Sequence, residues 1–243
     1  MVKIDLMDVL DSVVCMDALV FLRALPAESV DLVVTDPPYP IDRENGSGKL
    51  FYGHKGEKTW FENAYDEWPS FWDAVAYECA RVLKPGGHFL VFSNEGNLWP
   101  IRPLTEKAAP VLEFKSLLVW HKGSRAFQPY GMGYHYRKSC EYVLLWSKGK
   151  SARQVINYGT LMQFSRNEVE SDHPTPKPVK LLKFLIENST EPGCVVLDPF
   201  AGSGSAAVAC LRSGRHFLTC DVSEKWCVLA RQNLAQKNLE VLE

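Results

Sequence analysis

Apolar residues in this chain fall into short dense runs, separated by stretches in which they recur at helical spacing. The runs at Ser12–Met16, Asp31–Thr35, His88–Phe92, Ser116–Trp120, Glu141–Trp146, Cys194–Asp198 and His216–Cys220 read as strands buried on both faces. Between them, Leu19, Leu22 and Leu25 share one helical face, as do Phe71, Val75, Cys79, Val82 and Leu83, and Leu181, Leu182, Leu185 and Ile186. Further helices are predicted at Asn97–Glu106, at Ala206–Arg212 and around Trp226 and Ala230. Pro26, Lys84-Pro85-Gly86-Gly87, Pro192-Gly193 and Gly214 punctuate the pattern, and Pro178 suits a first helical position. Strands alternating with helices predict an α/β, Rossmann-like fold: about seven strands, mostly parallel, with helices on both faces. Residues 1–243 read as one domain.

Two regions break the period. Residues 41–68 hold Gly46, Gly48, Gly53 and Gly56 among charged side chains, which predicts a mobile loop that closes over a ligand. Residues 123–140 and 148–172 are polar or aromatic segments between strands, with room for small recognition elements but no separate domain.

Composition narrows the classes. With 243 residues, 46% of them hydrophobic, the chain can bury a large core. Its net charge of −2 excludes a general field for polyanions. Locally, Lys115, Lys122, Arg125, Arg137, Lys138, Lys148, Lys150 and Arg153 stand against the single acid Glu141. Such a stretch is either a solvated face or a phosphate-tracking surface. Lys122, Arg125, Tyr134, Arg137 and Lys138 interleave bases with an aromatic ring and are the candidates for nucleic-acid contact. Seven cysteines without a Cys-x-x-Cys pair argue for reduced thiols in a cytosolic protein, with no metal site. No signal peptide or membrane-length apolar run is expected.

Chemistry concentrates at two turns. After the Asp31–Thr35 strand come Asp36, Pro37, Pro38 and Tyr39. Two prolines stiffen the turn and leave carbonyls as free acceptors. A carboxylate, a carbonyl and a phenol ring suit a flat base with an exocyclic amine, although a proline turn closing a strand has the same composition. The second turn, Asp198-Pro199-Phe200-Ala201-Gly202-Ser203-Gly204-Ser205, joins a strand to a helix. Gly202-x-Gly204-x-x-Ala207, with Asp221 at the next strand end, fits a dinucleotide fingerprint. Charge argues otherwise, because Asp198 at the strand tip would repel a pyrophosphate. It suits a cationic ligand such as S-adenosylmethionine, with Asp221 accepting from the ribose hydroxyls. Helix capping by Asp198 or Asp221 is the plain alternative. The sheet then needs a strand beyond the one ending at Asp221, and the Ser12–Met16 strand with Asp17 fills it. The element order is therefore circularly permuted, with the catalytic half first.

With both turns in this order, the sequence resembles the beta group of amino-directed DNA methyltransferases, over nearly the whole chain. Thr35–Tyr39, with its Asp-Pro-Pro-Tyr, resembles that family's catalytic motif, and Asp198–Ser205 its cofactor motif. His173-Pro174-Thr175-Pro176-Lys177-Pro178 resembles the segment beside the methionine end of the cofactor. Three positions depart from the family's usual residues: Pro176 for Gln, Ser205 for Thr and Asp221 for Glu. The resemblance implies a site-specific, S-adenosylmethionine-dependent methyltransferase acting on the N6 of a flipped-out adenine in DNA, with N4 of cytosine open by the same chemistry. Asp36, Pro37, Pro38 and Tyr39 are the implied catalytic residues. Asp17, Ala18, Asp36, His173, Thr175, Lys177, Asp198, Phe200, Ala201, Gly202, Ser203, Gly204, Ser205 and Asp221 are the implied cofactor contacts. DNA is the implied partner, with a homodimer left open, and the setting is the cytoplasm of a bacterial or phage-infected cell. No cysteine is needed as a nucleophile. A nicotinamide enzyme, a non-catalytic DNA-binding protein, and methylation of RNA or protein remain as other classes. The target sequence and any partner nuclease are not legible.

Overall fold

The computed structural model describes residues 4–38, 64–123, 139–150, 158–165 and 176–241. Its elements are α1 (Leu6–Val9), β1 (Val13–Cys15), α2 (Ala18–Ala24), β2 (Val30–Thr35), α3 (Ala64–Val82), β3 (Leu83–Ser93), α4 (Leu98–Ala108), β4 (Leu112–His121), β5 (Cys140–Lys148), β6 (Leu161–Gln163), α5 (Val179–Ser189), β7 (Val195–Asp198), α6 (Ser205–Leu211), β8 (His216–Asp221) and α7 (Glu224–Val241). The strands form one sheet in the order β1-β8-β7-β2-β3-β5-β4-β6. Neighbours pair in parallel except where β5 runs antiparallel to β3 and β4.

The buried runs explain this sheet. On β2, Val33 packs into one core and Leu32 and Val34 into the other, because successive side chains leave opposite faces. The first core joins α2, α3 and α4 through Phe21, Leu22, Trp72, Val75, Cys79 and Ile101 to Phe89, Val91 and Leu197. The second joins α5, α6 and α7 through Leu181, Leu185, Ile186, Val208, Cys227 and Ala230 to Leu90, Phe92 and Val196. A strand covered on both sides has no polar face, so its sequence shows no alternation.

Two expectations about order hold. β1 pairs with β8, Val13 opposite Thr219 and Cys15 opposite Asp221, so the first strand fills the place beside the Asp221 strand. β7 pairs with β2, Leu32 opposite Val196 and Val33 opposite Leu197. From β7 the chain steps through α6 outward to β8, and from β2 through α3 outward to β3. The switch point of the sheet therefore lies between β7 and β2, where open α/β sheets leave a crevice.

Three boundaries differ from expectation. The sheet has an eighth strand, β6, which pairs with β4 along Val119 to His121. It falls in the segment expected to be recognition loop, and with three residues, only Met162 buried, it is too short to show a period. Lys84-Pro85-Gly86-Gly87 does not simply stop a helix. α3 ends at Val82, Leu83 already pairs with Val30, and Leu32 pairs next with His88. Gly86 at φ +82° turns the intervening residues out of the ladder. Finally, residues 64–68, expected in the mobile loop, begin α3, where Trp68 is buried and stacks on Trp72 at 6.0 Å. The rest of that loop lies outside the described residues. Among the described residues, no helix is long and apolar enough to cross a membrane.

α3 and α4 are joined by a polar bond inside the core. The Trp72 indole N–H donates to Thr105 Oγ1 at 2.9 Å, and both residues are fully buried. Thr105→Val would keep the volume but orphan that donor, so we expect a loss of about 1–3 kcal/mol in urea unfolding.

Candidate active site

The site grows from the β7–β2 pair. Parallel pairing brings the carboxyl ends of the two strands side by side, and the next residues are Asp36 and Pro199. Thr35, the last residue of β2, donates its hydroxyl to Asp198 Oδ1 at 3.0 Å. Both groups are buried. Two turns far apart in the chain thus meet through a direct side-chain bond. The sequence placed Thr35 at the head of the catalytic stretch but gave it no role of its own, although a hydroxyl at a strand end facing a buried acid was the available signal.

Asp198 is held on several sides. Its Oδ1 also accepts from the Phe200 N–H at 3.1 Å, and its carbonyl accepts from Thr219 Oγ1 at 2.6 Å. Burial pushes its carboxyl up to about 8, against the opposing pull of the Phe200 N–H and the Thr35 hydroxyl. Asp36 and Asp221 push in the same direction as burial. The position favours a neutral acid until a cation arrives.

The glycine turn is braced from below. Gly202 and Gly204 have φ of +49° and +79°, values that favour glycine. A Cβ at Gly204 would lie 2.9 Å from Ala230 Cβ, so the turn sits directly on α7. The Gly202 N–H donates to Asp221 Oδ2 at 2.9 Å, and the Ser223 N–H donates to Asp221 Oδ1 at 2.9 Å. Asp221 therefore ties β8, the entry to α7 and the glycine turn together. Burial raises its carboxyl while these N–H groups lower it, and burial prevails. Asn233 Nδ2 donates to Ser203 O at 2.9 Å, and Ser203 Oγ lies 3.0 Å from Ser205 Oγ. Ala201 is buried, its N–H donating to Cys220 O at 2.8 Å. Asp17 caps α2, accepting from the Val20 N–H at 3.0 Å, and Ala18 is buried behind it. These two stand at the tip of β1, next to Asp221.

The proline tip is anchored by a residue the sequence reading placed in the loop. The Trp68 indole N–H donates to the Pro38 carbonyl at 2.7 Å, so the first turns of α3 hold the tip in place. Phe71 on the same helix lies 6.1 Å from Phe200. Pro37 is buried and Pro38 exposed. Tyr39, His173, Thr175, Arg125, Tyr134, Arg137 and Lys138 lie outside the described residues.

Lys122 sits differently from expectation, and Lys177 makes contacts that the sequence did not show. The Lys177 ammonium contacts Asp36 Oδ2, lies 3.4 Å from Glu141 Oε2, and stands 5.3 Å over the Phe92 ring. Both Lys177 and Asp36 are among the expected cofactor contacts. Lys122, expected as a DNA contact, has a side chain only 12% exposed and pairs with Glu141 Oε1 at 2.6 Å. Its charge is already used, so it does not face a phosphate. Lys115 and Lys148, from the same basic stretch, pair with Glu113 and Glu28. The seven cysteines are all free. Burial raises the thiols of Cys79, Cys210, Cys220 and Cys227, so these are poor nucleophiles.

The raised carboxyl of Asp198 has a measurable consequence. A folded-state value above the unfolded one stabilises the protein at low pH, and that contribution is lost as pH rises through the folded value. The ligand-free protein should lose melting temperature as pH climbs from the ordinary carboxyl value of 3.8 toward about 8, and this contribution should level off above that. Asp198→Asn should flatten that decline, as read by thermal melts across the range.

Comparison with known proteins agrees with this arrangement. The family model described as DNA methylase, of the N6/N4 type, matches residues 30–232. The DNA adenine methyltransferase YhdJ of Escherichia coli is 32% identical over 251 residues, covering 90% of this chain and 80% of its own length. A putative DNA modification methylase from Thermus thermophilus, solved with S-adenosyl-L-methionine, superposes with a TM-score of 0.67 at 22% identity, covering 93% of each chain. The cytosine-N4-specific PvuII DNA methyltransferase superposes with a TM-score of 0.72 at 18% identity, covering 95% of this chain and 92% of its own. With the family model spanning both turns, the chain belongs to the DNA methylases of the N6-adenine and N4-cytosine family.

Proposed function

We propose that this protein transfers a methyl group from S-adenosylmethionine to the exocyclic N6 of an adenine turned out of DNA. The observation that carries this reading is the Thr35–Asp198 bond. It brings an acceptor-rich tip for an amine beside a glycine turn for a nucleoside.

The residues suit that cofactor. Gly202 and Gly204, both at positive φ, shape a tight turn against α7 that a nucleoside can approach from its open side. Asp198, buried and disposed to be neutral, gains a reason to ionise when a sulfonium and an ammonium approach. A pyrophosphate would meet the reverse, which disfavours a nicotinamide cofactor. Asp221 and Asp17 stand side by side at the tips of β8 and β1, as ribose and adenine contacts require. When bound, S-adenosylmethionine supplies an electrophilic methyl on a positively charged sulfur.

The chain's own part is orientation. A base amine is a poor nucleophile because its lone pair is delocalised into the ring. The Asp36 carboxylate and the Pro37 carbonyl would each accept one N–H, which favours a pyramidal nitrogen and frees the pair. The freed pair would be aimed at the methyl that the cofactor supplies, and the proton the amine sheds would pass to the Asp36 carboxylate that accepts its N–H. Tyr39 would stack on the base, held by a tip that Trp68 anchors. Positioning and electrostatics supply the rate, and no covalent enzyme intermediate is needed.

Adenine is preferred because an Asp opens the tip motif and because YhdJ, at 32% identity, is named as an adenine methyltransferase. Cytosine N4 is the second reading, since the same acceptors would serve its amine. Mass spectrometry of nucleosides from methylated DNA distinguishes the two, with N6-methyladenine expected. Asp36→Ala should lower transfer of labelled methyl by at least about a thousandfold, a combined loss of orientation and electrostatic stabilisation. Cofactor affinity, read by calorimetry, should remain near the wild-type value. Undiminished turnover in that variant would refute the assignment.

A further inference from the structure

Four side chains of alternating charge form a line along the carboxyl edge of the sheet. They come from four separate places: Asp36 after β2, Lys177 before α5, Glu141 at the start of β5, and Lys122 just beyond β4. Lys177 contacts Asp36, stands 3.4 Å from Glu141 Oε2, and the other oxygen of Glu141 holds Lys122 at 2.6 Å. We propose that Glu141 is a positioning residue for entry of the target base: it is the carboxylate that receives Lys177 when the base amine takes Asp36.

The inference rests on the methyl-transfer reading, which requires Asp36 to accept an N–H from the base. In the structure, one Asp36 oxygen already receives the Lys177 ammonium. The carboxylate can accept from both, but sharing it with the base amine weakens the Lys177 contact, and the ammonium then leans further on its second carboxylate. Its side chain is only 11% exposed, so moving it into an uncompensated position would be costly. Glu141 offers the short route. Its Oε2 faces Lys177, and closing from 3.4 Å to an ordinary charge-assisted distance of about 2.8 Å is a movement of well under one ångström.

Lys122 gives this arrangement its direction. By holding Oε1 it leaves Oε2 turned toward Lys177. Lys122 and Glu141 also flank the β4–β5 connection, closed by the Lys122 N–H donating to Ser139 O at 2.9 Å. Burial alone would raise the Glu141 carboxyl, but the Lys177 and Lys122 ammoniums outweigh it and hold the group below its ordinary value. The receiving carboxylate therefore stays ionised. The Phe92 ring, 5.3 Å from the Lys177 ammonium, lines the same short path. After the shift the line still alternates in sign, and the base amine has replaced Lys177 on Asp36.

An ion pair that merely braces β5 against the lead-in to α5 would make a different prediction, so three measurements separate the two. Transfer from tritiated S-adenosylmethionine to long, amplified, unmethylated DNA gives kcat and KM, calorimetry gives cofactor affinity, and thermal melting reports folding. In Glu141→Gln, Lys177 loses the carboxylate that would receive it, so kcat/KM for DNA should fall by at least about tenfold, as for truncating one partner of a shielded charge pair. Cofactor affinity should stay within about threefold, because the loss lies in the DNA-dependent step. Glu141→Asp, which restores the charge on a shorter arm, should recover much of the lost rate. The proposal is overturned if the Gln variant keeps wild-type kcat/KM, if DNA and cofactor parameters fall together, or if Asp rescues nothing. Should the Gln variant melt far below the wild type, the comparison of Asp with wild type carries the test, and a rate as low as that of Asp36→Ala with normal melting overturns it. Wild-type protein is the control: if it transfers no methyl, the functional reading falls and takes this one with it, whereas wild-type transfer with an unaffected Glu141→Gln refutes this one alone.

Discussion

A hydroxyl and a carboxyl group, both shut away from water, join the two halves of this protein's site. Thr35 and Asp198 end neighbouring parallel strands and bond to each other. Parallel pairing in a doubly covered sheet fixes register tightly, because a slip by one residue would exchange the side chains of the two cores. Leu32 and Val34 face one core and Val33 the other, so the register of β2 against β7 is set by burial. The bond at the strand ends follows from that register, and so does the meeting of the proline tip and the glycine turn. Neither turn could do chemistry alone, since one presents acceptors and the other a cradle.

Carboxylates crowd the rim that this produces. Asp17, Asp221, Asp198, Asp36 and Glu141 stand at or beside the ends of five strands. Each is restrained differently. Asp17 and Asp221 accept backbone N–H groups, Asp198 is buried to the point of favouring its neutral form, and Asp36 and Glu141 share Lys177. Like charges so close would repel if all were ionised and unpaired. A cationic cofactor completes the balance, which is why an acidic rim and a positively charged methyl donor belong together.

The sequence was informative where burial is continuous and silent where contacts are long-range. Seven strands stood out because runs such as Leu32–Val34 and Val195–Leu197 have no polar face to interrupt them. β6 did not, because one buried residue in three makes no pattern. Both turns were legible from residue type, since prolines and glycines dictate backbone shape locally. The partners of those turns were not. Trp68 sits among polar and glycine residues that suggest a loop, yet its ring is buried and its N–H holds Pro38. Lys122 looked like a phosphate contact because its partner, Glu141, is distant in sequence, and the one acid within a basic stretch was the hint that the charges there are paired. The contact of Lys177 with Asp36 was hidden in the same way, because it spans 141 positions.

The pairing of β1 with β8 constrains how the chain can assemble as it is made. Val13 lies opposite Thr219, and among the described strands β1, at the edge of the sheet, has β8 as its one neighbour. A ribosome delivers β1 ahead of β2, β3, β4 and β5, and its partner β8 after all of them. Until β8 emerges, β1 has no ladder to join, while β2, β3, β4 and β5 can already pair among themselves. The side that would hold the methyl donor therefore closes after the side that carries the acceptor tip, and a nascent chain has that tip before it has any means of using it.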